Sequence, residues 1–243
     1  MTSGVLLTED RGAVRILTMN RPEKRNALNT ALTRALLDAL RAADSSNSVA
    51  AVLLTGAGRG FCAGADLSEF KDLTPGNQHL VEERAELTMQ LHLAFSKMAK
   101  PVLTAINGAA MGGGAGLAIA ADLALMAQSA QLGYPETRHG IVAAIVMANL
   151  VRQTGRKRAF ELVSLGEAIT AQQALAYGLV NRVVPDADLL SGSLAVAEKL
   201  AGIQKEALTE TKKLFHRVAD LALEEALKSG RDVNQRMRAF GKG

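Results

Sequence analysis

The chain has 243 residues, 48% of them hydrophobic and 21% charged, too apolar for disorder and long enough for a sizeable core. At roughly 150 residues per domain, that length lies between one domain and two. The formal net charge of +4 suits an anionic ligand, while 3% aromatics and no Trp leave little for stacking on nucleic-acid bases.

In chain order, Val14–Met19 (VRILTM) predicts a strand, ended by Asn20-Arg21-Pro22-Glu23. Leu28, Leu32, Leu36 and Leu40 recur every four residues as one helix face, with Asn29 or Thr30 as N-cap. Residues 49–55 predict a buried strand, 56–64 a glycine-rich loop, and 80–98 contain a second long helix. After Lys100-Pro101 come a strand at 102–106, a loop at Asn107-Gly108, a small-residue helix from about Gly113 and a strand at 123–127. Helices are expected at 143–153, 156–164, 171–177 and 189–201, with two more beyond Lys205 and one strand at 180–184.

This is an α/β pattern, in which loops after strands are the natural ligand sites. We divide it into a catalytic core, residues 1–190, and a helical appendage, 191–243, too short to bury a large core alone. The single cysteine, Cys62, leaves no internal disulfide and no cysteine metal cage. No basic start precedes an apolar segment, and the longest non-polar run, 108–121, is shorter than the ~20 residues a bilayer needs. The expectation is a soluble, cytoplasmic protein with no metal, membrane or nucleic-acid partner.

Two loops could carry chemistry, residues 56–67 and 107–116, because glycine and alanine let backbone N–H groups approach a ligand. Gly58-Arg59-Gly60-Phe61-Cys62-Ala63 matches a dinucleotide fingerprint formally. It opens into no helix, however, and the position ~20 residues on falls inside a helix rather than at a strand end. No Gly-Lys-Ser/Thr loop and no Gly-x-Ser-x-Gly elbow occurs. A helix starting near Gly113 aims its free N–H groups back into the second loop. One donor from each loop would make an oxyanion hole; the competing view is that the glycines only allow close packing.

Several pieces in order resemble the crotonase superfamily, the enoyl-CoA hydratase/isomerase family: Asn20-Arg21-Pro22 with Asn26-Ala27-Leu28, Phe61-Cys62-Ala63-Gly64-Ala65-Asp66-Leu67, and Asn107-Gly108 with Gly112-Gly113-Gly114. Gly133-Tyr134-Pro135-Glu136 and residues 174–180 (ALAYGLV) before Asn181-Arg182-Val183-Val184-Pro185 follow. The resemblance implies a fold of repeated ββα units forming a spiral, with a C-terminal helical trimerisation region and homotrimers or hexamers as dimers of trimers. It implies an acyl-CoA substrate, with no cofactor beyond its coenzyme A moiety.

Residue by residue, the resemblance puts the two enolate-stabilising N–H groups on Ala65 and Gly113 and the acid–base on Glu136. Coenzyme A contacts fall on Arg25, Ala27, Ala63, Asp66 and Leu67. Family hydratases carry a second glutamate two residues after the glycine triplet, where this chain has Gly116. In the family's single-carboxylate isomerases the acid–base is the residue at the Glu136 position, so double-bond migration or another single-base reaction leads, followed by 2-enoyl-CoA hydration; a catalytically silent CoA-binding or scaffold relative is the rival of another class. Where many hydratases have Pro-Gly-Ala-Gly-Gly, this chain has Ala143-Ala144-Ile145-Val146-Met147.

Apolar neighbours of Glu136 should raise its pKa. His139 is a possible relay, and Glu82, Glu83 and Glu86 could supply the missing carboxylate, though a solvated helix face is the plainer account. Asp66 either orients its loop or touches the ligand, and Cys62 reads as a small buried hydrophobe. Lys97 and Lys100 are expected at the surface. Residues 205–243 hold 9 Lys or Arg against 6 Asp or Glu. In the family this tail approaches coenzyme A phosphates, which makes Lys212, Lys213, Lys242 or the tail's Arg residues candidates.

Overall fold

A computed structural model describes residues 4–240, so Lys242 lies outside the described residues. The chain opens with a hairpin of β1 (Leu6–Arg11) and β2 (Val14–Met19), turned at Gly12 with φ +58°. Then follow α1 (Thr30–Ser45), β3 (Ala51–Gly56), β4 (Gly60–Cys62) and α2 (Gln78–Lys97). The middle of the chain holds β5 (Val102–Ile106), β6 (Ala109–Met111), α3 (Gly113–Ala120), β7 (Leu123–Ala127) and β8 (Gln131–Gly133). The last part contains α4 (Ala144–Leu165), β9 (Ile169–Thr170), α5 (Ala171–Ala176), β10 (Arg182–Val184), α6 (Leu189–Ala201), α7 (Lys205–Val218) and α8 (Leu223–Phe240).

The strands form two sheets, β1-β2-β3-β5-β7-β10 and β4-β6-β8-β9. Apart from the β1–β2 and β8–β9 pairs, the ladders are parallel. Three times the chain lays a strand in the large sheet, a short one in the small sheet, and then a helix: β3-β4-α2, β5-β6-α3 and β7-β8-α4. These are the expected ββα units. The two glycine-rich loops each hold a strand of the small sheet, which their composition conceals.

Parallel strands covered on both faces need continuous apolar runs, and β3 and β5 are buried along their whole length. On α1, Leu32, Leu36 and Leu40 face the core, and the Asn29 side chain caps the helix by accepting the Leu32 N–H at 2.9 Å. Leu28, the first of the periodic leucines, precedes that cap and pairs with Ala65 instead. The expected helices 143–153 and 156–164 run on as α4, broken at Gly155 with φ +75°. Helix α6 packs on β2, β3, β5 and β7, while α7 and α8 pack on each other. No described helix is long and apolar enough to cross a membrane.

Candidate active site

The first wall of the site is the segment 25–28. Arg25 and Asn26 both take left-handed conformations, with φ +50° and +56°. For non-glycine residues this needs support, and Asn26 provides it. Buried, it donates through Nδ2 to the carbonyls of Ala57 and Gly60, each at 2.9 Å, and accepts the Arg21 N–H through Oδ1 at 2.9 Å. The chain then enters Leu28, which bonds on both sides of Ala65: its N–H donates to Gly64 O at 2.7 Å, and its carbonyl accepts from Asp66 N at 3.1 Å. Because successive peptides of an extended strand point to opposite sides, the Ala65 N–H faces away from Leu28. It has no hydrogen-bond partner among the described residues.

The second wall is the start of α3. Gly112, with φ +53°, turns the chain, donates to Gly133 O at 2.8 Å and accepts from Gly116 N at 2.9 Å. Gly113 is therefore the first helical residue, and its N–H has no partner within the helix. The two N–H groups adjoin: a Cβ added at Gly113 would stand 3.8 Å from Ala65 N, and one at Gly64 would stand 3.3 Å from Gly113 N. One donor per loop, one of them at a helix N-terminus, is the arrangement the sequence suggested.

Glu136 follows β8 in a short 3-10 turn, Pro135–His139. Its carboxyl lies against Gly112: Oε1 is 2.9 Å from where a Cβ on that residue would be. Oε2 is buried without a hydrogen-bond partner among the described residues. Burial raises the Glu136 pKa, opposed by a backbone hydrogen bond and by nearby His139. His139 itself is exposed. Tyr134 is fully buried and its hydroxyl unpartnered; burial, with the Glu136 charge, pushes its pKa up.

Position 116 holds the largest departure. A Cβ on Gly116 would overlap Val146 Cγ1, fall 2.8 Å from Val146 Cβ and 2.9 Å from His92 Cε1. His92, on α2, is only 8% exposed, and neither ring nitrogen has a partner among the described residues. Burial drives its pKa down to about 4, so the ring is neutral at pH 7. Sequence spacing held no signal for the place of His92, which comes from α2, α3 and α4 meeting at Gly116.

Glu82, Glu83 and Glu86 are exposed, and Glu82 and Glu86 accept hydrogen bonds from Gln78 and Gln90 on their own helix. They form a solvated face and supply no carboxylate to the site. Among the residues assigned to coenzyme A, Arg25, Ala63 and Leu67 are exposed, and Ala63 N donates to Arg25 O at 2.9 Å. Ala27 and Asp66 are buried behind them. Arg21 ties the two together, donating to Ala27 O and, at 2.8 Å, to Asp66 Oδ2. The other Asp66 oxygen accepts from Ser68 N and Oγ, so Asp66 orients the loop, and these donors hold its pKa low. Cys62 is buried, its thiol pKa pushed up to about 12, which makes it inert.

Two expectations about lysines are overturned. Lys100 is buried and donates to the carbonyls of Ala43 and Ser46. Lys212 is buried as well, donating to Lys100 O at 2.8 Å and Asp122 Oδ2 at 2.7 Å, so it anchors α7 and offers no charge to a phosphate. Lys100 was expected at the surface and Lys212 at a phosphate, because a lysine in sequence carries no record of the buried carbonyls or carboxylate that will receive it. Lys213 is exposed and pairs with Glu210.

Two sheets joined by ββα units thus bring two N–H groups, one from each loop, beside a half-buried carboxyl. Comparison with known proteins gives the family. The family model for enoyl-CoA hydratase/isomerase matches residues 9–239. The 2,3-dehydroadipyl-CoA hydratase of Escherichia coli is 37% identical over 94% of this chain and 88% of its own. The crystal structure of enoyl-CoA hydratase from Bacillus anthracis superposes with TM-score 0.90 at 31% identity, over 95% of this chain and 90% of that one. The enoyl-CoA hydratase structure from Mycobacterium smegmatis gives TM-score 0.90 at 32% identity, over 96% and 91%. The chain belongs to the enoyl-CoA hydratase/isomerase family and has the crotonase fold; it is an enzyme acting on CoA thioesters.

Proposed function

We propose that this enzyme moves a double bond in an enoyl-CoA from the 3,4 to the 2,3 position, with Glu136 as the single acid–base. The thioester oxygen sits between the N–H groups of Ala65 and Gly113. The Glu136 carboxylate removes a proton from C2, and the electron pair moves into the carbonyl to give a dienolate held by the two donors. The protonated Glu136 then returns the proton to C4. A raised carboxyl pKa favours both halves of this shuttle, since proton transfer is most efficient near working pH. No further cofactor is needed, as no electrons or groups leave the thioester.

The observation that carries this choice is the crowding at Gly116, where Val146 and His92 take the space of a second carboxylate. Arg25, Ala63 and Leu67 supply the exposed contacts for coenzyme A, and Asp66 and Ala27 brace them through Arg21. Exposed Phe215, Leu223 and Leu227 on α7 and α8 support assembly as a homotrimer or a pair of trimers. The second reading is 2-enoyl-CoA hydration, favoured by the name of the 37% identical relative from Escherichia coli.

The deciding experiment mixes the enzyme with a 3-enoyl-CoA and with a 2-enoyl-CoA. Conversion of the former to the 2-enoyl isomer supports the isomerase; water addition to the latter alone replaces it with the hydratase. Tight CoA binding with neither reaction would mean a silent binding protein.

A further inference from the structure

Arg84 lies on α2 among the glutamates of its solvated face, yet its side chain is turned inward and only 13% exposed. Its Nη2 donates to the Leu28 carbonyl at 2.8 Å, 56 residues back along the chain. Its Nη1 donates to Thr88 Oγ1 at 2.6 Å. Nε lies 3.6 Å from Glu69 Oε2, an oxygen that also accepts from Thr30 at the start of α1. Burial lowers the Arg84 pKa, the mark of a charge held against its own hydration.

Satisfying the backbone does not require this arginine. The Leu28 carbonyl already accepts from Asp66 N at 3.1 Å, and Met or Leu on α2 could be buried without desolvating a charge. The carbonyl matters for where its hydrogen bonds lead. Its own peptide carries the Asn29 N–H, which donates to Ala27 O at 3.1 Å. The Ala27 peptide carries the Leu28 N–H, which donates to Gly64 O at 2.7 Å, and the Gly64 peptide carries the Ala65 N–H. Three peptide groups thus run from the Arg84 guanidinium to the donor that faces the site, and Arg21 joins them at Ala27 O. Groups linked in this way polarise one another, each bond strengthening the next by about 10–30%. Gly113 needs no such help, because the aligned peptides of α3 stand behind its N–H. Ala65 belongs to no helix. Leu28 also touches the second wall: its Cδ1 is 3.3 Å from where a Cβ on Gly113 would stand.

We propose that Arg84 is a positioning residue for the reaction: it holds Leu28 in place and, through the peptides linked to that carbonyl, strengthens the Ala65 N–H as a donor to enolate charge. The inference rests on the oxyanion reading of Ala65 and Gly113 and adds to it a residue that touches no substrate.

Two readouts test it. One is turnover of the enoyl-CoA on which the enzyme acts. The other is the infrared stretch of a bound saturated acyl-CoA with an isotopically labelled thioester carbonyl, which falls as hydrogen bonds to that oxygen strengthen. Arg84→Met should lower kcat about 10-fold, less than the ~10²–10³-fold of losing a donor outright. KM should stay nearly unchanged, as for an interaction that counts in the transition state. The carbonyl band should move up toward that of the unbound thioester, and Arg84→Lys, which keeps the charge, should recover part of both effects. If Arg84→Met does not fold, Arg84→Gln is read in its place. Wild-type kcat, a loss confined to KM, or an unmoved band in the folded variant overturns the proposal; a purely structural arginine would change the melting temperature and leave the band where it is. If Gly113→Pro moves the band and Arg84→Met does not, only the role of Arg84 falls. If Gly113→Pro moves neither band nor turnover, the oxyanion reading falls and this proposal with it.

Discussion

Val146 stands where a side chain on residue 116 would begin: its Cβ is 2.8 Å from the point that any Cβ at Gly116 would occupy. The missing carboxylate and the bulkier start of α4 are therefore one change seen from two helices. Gly116→Ala should destabilise the fold by about 1–3 kcal/mol through overpacking. Val146→Ala removes the Cγ1 overlap and should recover part of that loss in the double variant. Chemical denaturation of the four proteins measures the coupling; additive effects would mean the helices shift freely.

Glu136→Gln should lower turnover by roughly 10²-fold or more, since the amide cannot carry the proton. The sign on stability is opposite. Burial raises the folded-state pKa, so the protonated form is favoured in the fold, and that contribution is lost as pH rises through the folded value. The neutral variant should melt higher than the wild type at pH 8, with the gap closing toward pH 4.

Gly113→Pro removes one donor at the first position of a helix, where proline is tolerated. Turnover should fall about 10²–10³-fold, with circular dichroism unchanged. Near-normal turnover in the folded variant would reject the oxyanion assignment.

Asp66→Asn should cost about 1–3 kcal/mol, because Arg21 loses a buried charged partner. The Asp66 pKa is lowered in the fold, so its contribution holds above the unfolded value and disappears as pH falls through the folded one. The difference from wild type should therefore be full at pH 7 and shrink in acid. Acyl-CoA affinity should drop with it, since Arg21 also holds the Ala27 carbonyl.

Sedimentation should report a trimer or hexamer at micromolar concentration, and Leu223→Glu with Leu227→Glu should lower the mass, as charges do on an apolar contact face.

The large sheet was plain in the sequence because β2, β3 and β5 are apolar runs bounded by glycine, proline or asparagine, and β7 is one between Asp122 and Gln128. Strand β1 was not, since LLTEDR lies mostly exposed at the sheet edge and carries little hydrophobic pattern. Strands β4, β6 and β8 are three residues each, in glycine-rich and alanine-rich stretches that read as loops. Ala65, Gly113 and Glu136 were singled out through motif order, and the backbone brings the Ala65 and Gly113 N–H groups side by side. The places of His92 and Lys212 were out of reach: one packs with Val146 where a side chain on residue 116 would begin, the other pairs with Asp122, and neither relation is local.

The tether between Lys212 and Asp122 spans 90 residues of chain. Asp122 Oδ2 also accepts the Val102 N–H at 2.7 Å, at the foot of the strand that leads through β6 to Gly113. During synthesis the whole catalytic half leaves the ribosome with this carboxylate lacking its cation. Domains settle from the N-terminus as they emerge, but this one cannot reach full stability until its last helices arrive. Translation that stops short of residue 212 thus yields a sheet with its motifs complete and an acid unneutralised at its base, a species suited to chaperones rather than to catalysis.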